Sequence, residues 1–596
     1  MQYARELLGS GRLAELRELI QQSPPEQAAH LQAALRLAEG EPQLALEMAR
    51  RAVALDPQTS TRNTLALCLL ACRQAAEAEA ILQDLVQAQP DNPDLWFNLA
   101  RCQPDGLPAC LKALALRPDW TEARLWALPR LPVAQALALA RQNPTSSQVR
   151  LWEARLVLAD GRPLAAAQLC LALLPEEPEA AGDLLLEALH EAGQVPADER
   201  ILAVLRARLQ QPGVWQLAEA ALANWPEAED LLLVVLTEGQ VTSLALEDRL
   251  TEWRRNYREN PIVHPLADAL AAHNFTYGFA FAEQPGEAPP VDHPAYALYR
   301  PLPPGLPAGP LTAQRHWHEP ARRRELLASL RPLAGADAVM GQYEQNPYPC
   351  WRSLGVPGRP SQDERDVLVA GCGTGQHAFQ VARCHPRATV WALDFSLPSL
   401  AYAMQAQERL GIGNVRFLAA DLLRLEETEL PDSFASIECM GVLHHLEDPL
   451  AGLRALRARL APHGWLRLGL YSRRGRAPMQ RARQLARAYG PLDLRTIRQN
   501  LRRDLTPEEL GWLAGIREFY SLSGLRDLLL HERQIELDLP TIQRWLEATE
   551  LRFDRFDPAP WLAQPPTDLA GWDDYEARFP DAFRSMYMFW CQASPA

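Results

Sequence analysis

Two neighbouring histidines in the run Gly441-Val442-Leu443-His444-His445-Leu446 are acid–base candidates, because imidazole gains and loses a proton near neutral pH. Tyr471, at the end of a later apolar run, is a weaker one. Upstream, Val367-Leu368-Val369-Ala370 leads into Gly371-Cys372-Gly373-Thr374-Gly375, and Ala392-Leu393-Asp394 follows. Alternating glycines let a backbone turn tightly and come close to a ligand. An acid placed as Asp394 is can accept both hydroxyls of a ribose. Asp421 closes the apolar run that starts at Asn414, and a carboxylate there can meet the exocyclic amine of an adenine. Together these residue types call for an adenosine-containing cofactor lying near a proton acceptor.

Such a site needs a frame, and the flanking pattern supplies one. The apolar runs Val367 to Ala370, Thr389 to Leu393, Asn414 to Asp421, Phe434 to Met440 and Trp465 to Leu470 read as five buried strands. Helix-forming stretches lie between them, notably Gln376 to Arg383 and Leu450 to Leu460. In an open parallel sheet, ligands bind outside the carboxyl ends of the strands, so the loops after the first four should gather around one ligand.

Over residues 363–472 this arrangement resembles the class I S-adenosylmethionine-dependent methyltransferases. The resemblance implies S-adenosylmethionine as cofactor, with Gly371, Gly373 and Gly375 passing under its methionine part. It implies Asp394 on the ribose diol, and Asp421 with Leu422 framing the adenine. The cofactor-binding set is completed by Cys372, Phe395 and Gly441, and the catalytic candidates are His444, His445 and Tyr471. The family often carries an acid two residues before the first glycine, where this chain has Val369 followed by Ala370. The amino group of the cofactor must therefore find another partner, such as a backbone carbonyl. A nicotinamide-dependent oxidoreductase is the rival, but pyrophosphate recognition wants G-x-G-x-x-G, and Gln376 and His377 interrupt that spacing. A non-catalytic repeat scaffold with a degenerate nucleotide-binding domain is the other alternative. The acceptor, small molecule or protein side chain, is left open.

Residues 1–235 read as paired amphipathic helices rich in Leu and Ala, broken at Asp56-Pro57, Gln89-Pro90-Asp91, Arg117-Pro118-Asp119 and Asn143-Pro144. The first spacing fits the period of about 34 residues of a helix-turn-helix repeat. Asn92-Pro93-Asp94-Leu95-Trp96-Phe97-Asn98-Leu99-Ala100 resembles the start of a tetratricopeptide repeat. The turn glycine is supplied by Gly40 and Gly161 but replaced at Cys72 or Arg73. Stacked repeats form a long concave face, which implies a protein or peptide partner.

Residues 236–360 read as a connector with a Pro-rich crossing and the strap Gln342-Tyr343-Glu344-Gln345-Asn346-Pro347-Tyr348-Pro349-Cys350-Trp351, either a packing element or one wall of the acceptor pocket. Residues 361–596 read as the methyltransferase domain, with a helical insert at about 473–549 acting as a lid. The alternating Leu551 to Phe556 and the aromatic Met586 to Cys591 would complete a seven-stranded sheet whose last strand is antiparallel. The fold class is thus an N-terminal all-α helical-repeat solenoid followed by an α/β doubly wound methyltransferase domain.

The 596 residues carry a formal net charge of -14, which argues against general nucleic-acid binding. Residues 473–503 are the exception, with ten arginines against the single acid Asp493; that stripe could hold RNA, an anionic lipid surface or an anionic acceptor, and is expected rather to clasp acidic surfaces of the chain's own repeats or a small acceptor. Ten cysteines without paired or metal-ligand spacing predict free thiols, no metal and a cytoplasmic setting. No transmembrane run is expected.

Overall fold

The computed structural model describes residue 7 and residues 12–142, 146–211, 213–303, 320–330, 348–354, 361–557 and 566–593. The chain forms two compact units, residues 1–193 and 194–596.

The first unit is an array of antiparallel helix pairs, among them Pro42–Leu55, Thr59–Ala71, Ala75–Ala88 and Pro93–Cys102. Proline opens several of these helices at the first turn, where its missing N–H costs nothing. Asn92 caps Pro93–Cys102 by accepting the Asp94 N–H. Ala45, Ala49, Ala66 and Ala78 are fully buried, and their small side chains let neighbouring helices approach closely. The repeat register shows in the turns: Gly40, Arg73 and Gly161 all have left-handed backbones, with φ of 77°, 61° and 72°. Arg73 thus holds the glycine position at a steric cost.

In the second unit seven strands form one sheet, β1 (Val367–Ala370), β2 (Val390–Asp394), β3 (Val415–Ala419), β4 (Phe434–Met440), β5 (Leu460–Tyr471), β6 (Leu551–Phe556) and β7 (Met586–Ala593). Their order is β3-β2-β1-β4-β5-β7-β6. The first five run parallel and β7 runs antiparallel to its neighbours, as the sequence pattern anticipates. The order reverses between β1 and β4, which opens a crevice at their carboxyl ends. Leu368, Ile437, Leu466 and Phe589 pack on one face; Val367, Val369, Phe379 and Trp351 pack on the other.

Between β5 and β6 the chain forms helices Gln480–Ala488, Leu494–Asp504, Pro507–Ala514, Leu522–Leu530 and Leu539–Ala548. Thr506 and Glu509 make a reciprocal capping box at the third of these. The arginine stripe turns inward, onto acids that lie outside the residues read as repeats. Arg498 grips Glu247 with two hydrogen bonds of 2.7 and 2.6 Å, both side chains being 1% exposed. Arg502 reaches Glu247 and Asp248, Arg495 reaches Glu283, and Arg483 reaches Glu536. The Arg498 clasp ties the insert to helix Leu244–Glu259. The boundary expected at residue 235 therefore lies within the second unit, whose helices begin with Glu199–Ala207.

Candidate active site

The glycine turn leaves β1 with Gly371, Gly373 and Gly375 at φ of 73°, 52° and 86°, a run that side-chain-bearing residues would adopt only under strain. A Cβ at Gly373 would sit 2.5 Å from the Tyr348 carbonyl oxygen, and one at Gly371 2.3 Å from the Val442 side chain. Gly375 does different work: it starts helix Gln376–Cys384, and a Cβ there would meet Ala403 at 2.7 Å and Phe379 at 3.0 Å. All five N–H groups of the turn are taken within the protein. Those of Gly371 and Cys372 donate to the Leu393 carbonyl, that of Thr374 to Tyr348 and that of Gly375 to Cys372. The Gly373 N–H donates to Asp394 Oδ2 at 2.7 Å.

Asp394 ends β2, and its second oxygen accepts the Ser396 N–H at 2.8 Å. The carboxyl is buried, and this desolvation pushes its pKa up despite the backbone donors of Ser396, Gly373 and Phe395. Behind the turn, Trp351 donates to Thr374 Oγ1 and packs on Phe379 and Tyr402. The described part of the strap, residues 348–354, is thus a packing element at Trp351 and a cavity wall at Tyr348. Tyr343, Asn346 and Pro347 lie outside the described residues.

A cavity of about 900 Å³ runs along the carboxyl edge of the sheet. Gly371, Cys372, Gly373, Asp394 and Phe395 line one part of it, Asp421 and Leu422 another, and Gly441 the junction with β4. Asp421 also caps the turn after β3 by accepting the Leu423 N–H. His445 and Tyr471 line the far end; His444 and Gly375 do not line the cavity. His444 is fully buried, its ring stacks 3.6 Å from Tyr471, and neither ring nitrogen has a hydrogen-bond partner among the described residues. Burial holds it neutral.

At the far end the insert closes over His445. Its Nδ1 donates to the Arg533 carbonyl at 2.8 Å, which leaves Nε2 with a lone pair. Burial lowers its pKa, against the opposing field of Asp527, so the acceptor form is the resting one. Tyr471 donates to Asp527 at 3.3 Å, and Tyr348 to Glu518 at 3.2 Å. A smaller cavity of about 280 Å³ shares Tyr348, Tyr471, Glu518, Asp527 and Met586 with the first.

His445, Asp527 and His531 bring their ligand atoms within 4.8 Å of one another, a grouping that no sequence spacing announced. The backbone of Arg533 polarises it from both sides. Its carbonyl accepts from His445, while its N–H donates to His531 Nδ1 at 3.0 Å. A neutral His531 then carries its proton on Nε2 and presents a donor to the group. The two rings also lie stacked, 3.7 Å apart at 19°, so their in-plane lone pairs do not converge. With a proton on His531 Nε2 and the two rings face to face, the group does not present three converging lone pairs.

Sequence reasoning missed Glu518, Asp527, His531 and Arg533, which sit on an insert with no motif. It also missed Glu438 in β4, where the signal was an acid inside an otherwise apolar strand.

The seven-stranded order, the glycine turn and the acids after β2 and β3 define a doubly wound domain built for a nucleoside cofactor. Residues 367–464 match the family described as methyltransferase domain, and residues 36–102 match tetratricopeptide repeat. The chain therefore joins a methyltransferase domain to tetratricopeptide repeats. An uncharacterised protein of Synechococcus is 34% identical over 231 residues, which are 35% of this chain and 54% of that one. A ubiquinone biosynthesis O-methyltransferase of Paracidovorax citrulli is 32% identical over 153 residues, 26% of this chain and 58% of its own. The chain thus spans little more than half the length of these relatives. Among solved structures, PKMT2 from Rickettsia typhi in complex with AdoHcy is 19% identical with a TM-score of 0.33, over 39% of this chain and 50% of that chain.

Proposed function

We propose that the second unit transfers the methyl group of S-adenosylmethionine to an acceptor bound between the sheet edge and the helical insert. The observation that carries this reading is the single cavity joining the glycine turn and Asp394 to His445. The residues present fit the cofactor: the turn offers a surface free of side chains, and Asp394 and Asp421 offer hydrogen-bond acceptors where a ribose and an adenine would lie. Cys372, Phe395, Leu422 and Gly441 supply the surrounding wall. With every N–H of the turn already used, the turn has none left for a pyrophosphate, which disfavours a dinucleotide oxidoreductase.

The bound cofactor supplies a methyl group already activated on a sulfonium. What the chain must add is alignment, exclusion of water and, for an acceptor that bears one, removal of a proton. His445 Nε2 is the proton acceptor in this scheme, held in that tautomer by the Arg533 carbonyl. Tyr471 and Asp527 fix the floor beside it. His444, packed behind Tyr471, supports the ring stack.

The tetratricopeptide repeats would dock a protein or peptide partner, which could bring the acceptor or anchor the enzyme. Nucleic acid is disfavoured, because the arginine stripe spends its charge on Glu247, Asp248, Glu283 and Glu536. No helix among the described residues is long and apolar enough to cross a membrane. All ten cysteines are free thiols, and burial pushes Cys68 up to about 12 and Cys110 up to about 11. Such buried thiols suit the reducing cytoplasm.

Calorimetry tests the reading: the chain should bind S-adenosylmethionine, and Asp394→Ala should lose most of that affinity. No binding by the unaltered chain would end this proposal. Labelled methyl from the cofactor, incubated with extract and separated into protein, nucleic acid and small-molecule fractions, then identifies the acceptor class.

A further inference from the structure

On the face of the sheet that packs against helix Gln376–Cys384, Val369 of β1 pairs in register with Glu438 of β4, and Glu438 with Arg467 of β5. Register partners in a parallel sheet project to the same side, so Glu438 stands beside Val369 at equal depth below the first glycine. Val369 is 1% exposed and apolar. Glu438 is only 5% exposed, yet it lines the large cavity together with Gly371, His377 and Arg467.

A carboxylate this deep should be costly. Burial pushes the Glu438 pKa up, but the hydrogen bond and field of His377, with help from Arg467, outweigh it and hold the group below its usual range. The charged form is therefore the resident one. Both contacts fall on the same oxygen: Oε2 accepts from His377 Nε2 at 3.0 Å and from Arg467 at 3.3 Å. Oε1 takes no hydrogen bond among the described residues. Arg467 and His377 meet its charge at Oε2, and Oε1 is left able to accept a further donor from the cavity that the residue lines.

The aminoacyl end of the cofactor carries a charged donor of that kind, its ammonium group. The glycine turn beside it has only carbonyls to offer an ammonium, and β1 has no acid at Val369 or Ala370. We propose that Glu438, braced by His377 and Arg467, is the anion that receives the cofactor's ammonium group, directly or through one water. This rests on the S-adenosylmethionine reading of the cavity. It assigns to β4 a contact that β1 does not supply.

Calorimetry on the full chain, with two ligands and two variants, tests it. S-Adenosylhomocysteine keeps the ammonium; 5′-methylthioadenosine keeps adenosine and sulfur but has no aminoacyl end. Glu438→Gln should weaken S-adenosylhomocysteine about tenfold or more and leave methylthioadenosine within about twofold. Glu438→Asp, which keeps the charge, should lose less. Equal weakening of both ligands makes Glu438 a structural brace only and overturns the proposal, as does no weakening of either. Should Glu438→Gln fail to fold, the unaltered protein still decides, through an analogue of S-adenosylhomocysteine whose ammonium is replaced by hydrogen. That analogue should bind about tenfold more weakly than its parent, and equal affinity rejects the ion pair. If the unaltered protein binds neither adenosylhomocysteine nor methylthioadenosine, the failure is that of the cofactor reading itself, and the Glu438 proposal falls with it.

Discussion

The two ends of the cavity are built in different ways. The end at the glycine turn is shaped first by backbone, a turn with three left-handed glycines, one of whose N–H groups is held by an acid one strand away. The far end, where we propose that the acceptor lies, is made by side chains brought from Tyr348, His445, Tyr471, Glu518, Asp527 and His531, on separate elements. A shape that serves one fixed ligand can be written locally. A surface that must suit a particular acceptor can draw on an insert outside the sheet, where single side chains can change without disturbing the strands.

Four experiments can break or sharpen that contrast. The largest effect is expected where the insert is anchored. Glu247→Gln leaves Arg498 buried without its anion and should cost about 3–5 kcal/mol in chemical denaturation, whereas a paired Glu247→Leu, Arg498→Leu replacement should recover much of the loss. Next is His445→Ala, for which kcat should fall about 10²–10⁴-fold while S-adenosylmethionine affinity stays within about twofold. An equal fall in affinity would mean the two ends are not separable. Asp394→Asn should do the reverse, weakening the cofactor about 10–100-fold and sparing kcat at saturation. The smallest effect lies far from the cavity: Arg73→Gly should stabilise the repeat unit by about 0.5–1 kcal/mol, read from its melting transition, because glycine adopts the left-handed turn without a Cβ clash.

The two ends should also answer pH differently. Asp394 has its pKa raised by burial, and its anion is the form that accepts ribose hydroxyls. Cofactor affinity should therefore fall with falling pH from a point above the ordinary carboxylate value of 3.8. His445 has its pKa lowered, so its basic form persists below the ordinary 6.5. The acid limb of kcat/KM should accordingly lie below pH 6.5, and a limb at or above that value argues for a different base.

Most of the frame was legible in the sequence, because buried parallel strands are short apolar runs and Gly371, Asp394 and Asp421 fall at their ends. The repeat register was legible too, down to the missing glycine, which the φ of Arg73 places at 73 rather than 72. The rest depended on contacts across long stretches of chain. Nothing near Asp527 or His531 marks them as neighbours of His445. The arginine stripe stood out in the sequence but its partner did not: helix Leu244–Glu259 carries several acids, and only packing singles out Glu247. His444 and His445 look equivalent in sequence, and only packing separates the one behind Tyr471 from the one facing the cavity.

That same clasp has a consequence for the chain as it is made. Glu247 and Arg498 are 251 residues apart. At synthesis rates of about 5–20 residues per second, the carboxylate waits on the order of 10–50 s for its partner to emerge. During that interval helix Leu244–Glu259 holds a charge whose burial has not been matched, so it stays hydrated and loosely packed. Helix Leu244–Glu259 therefore cannot bury Glu247 in its final pairing until the insert has left the ribosome.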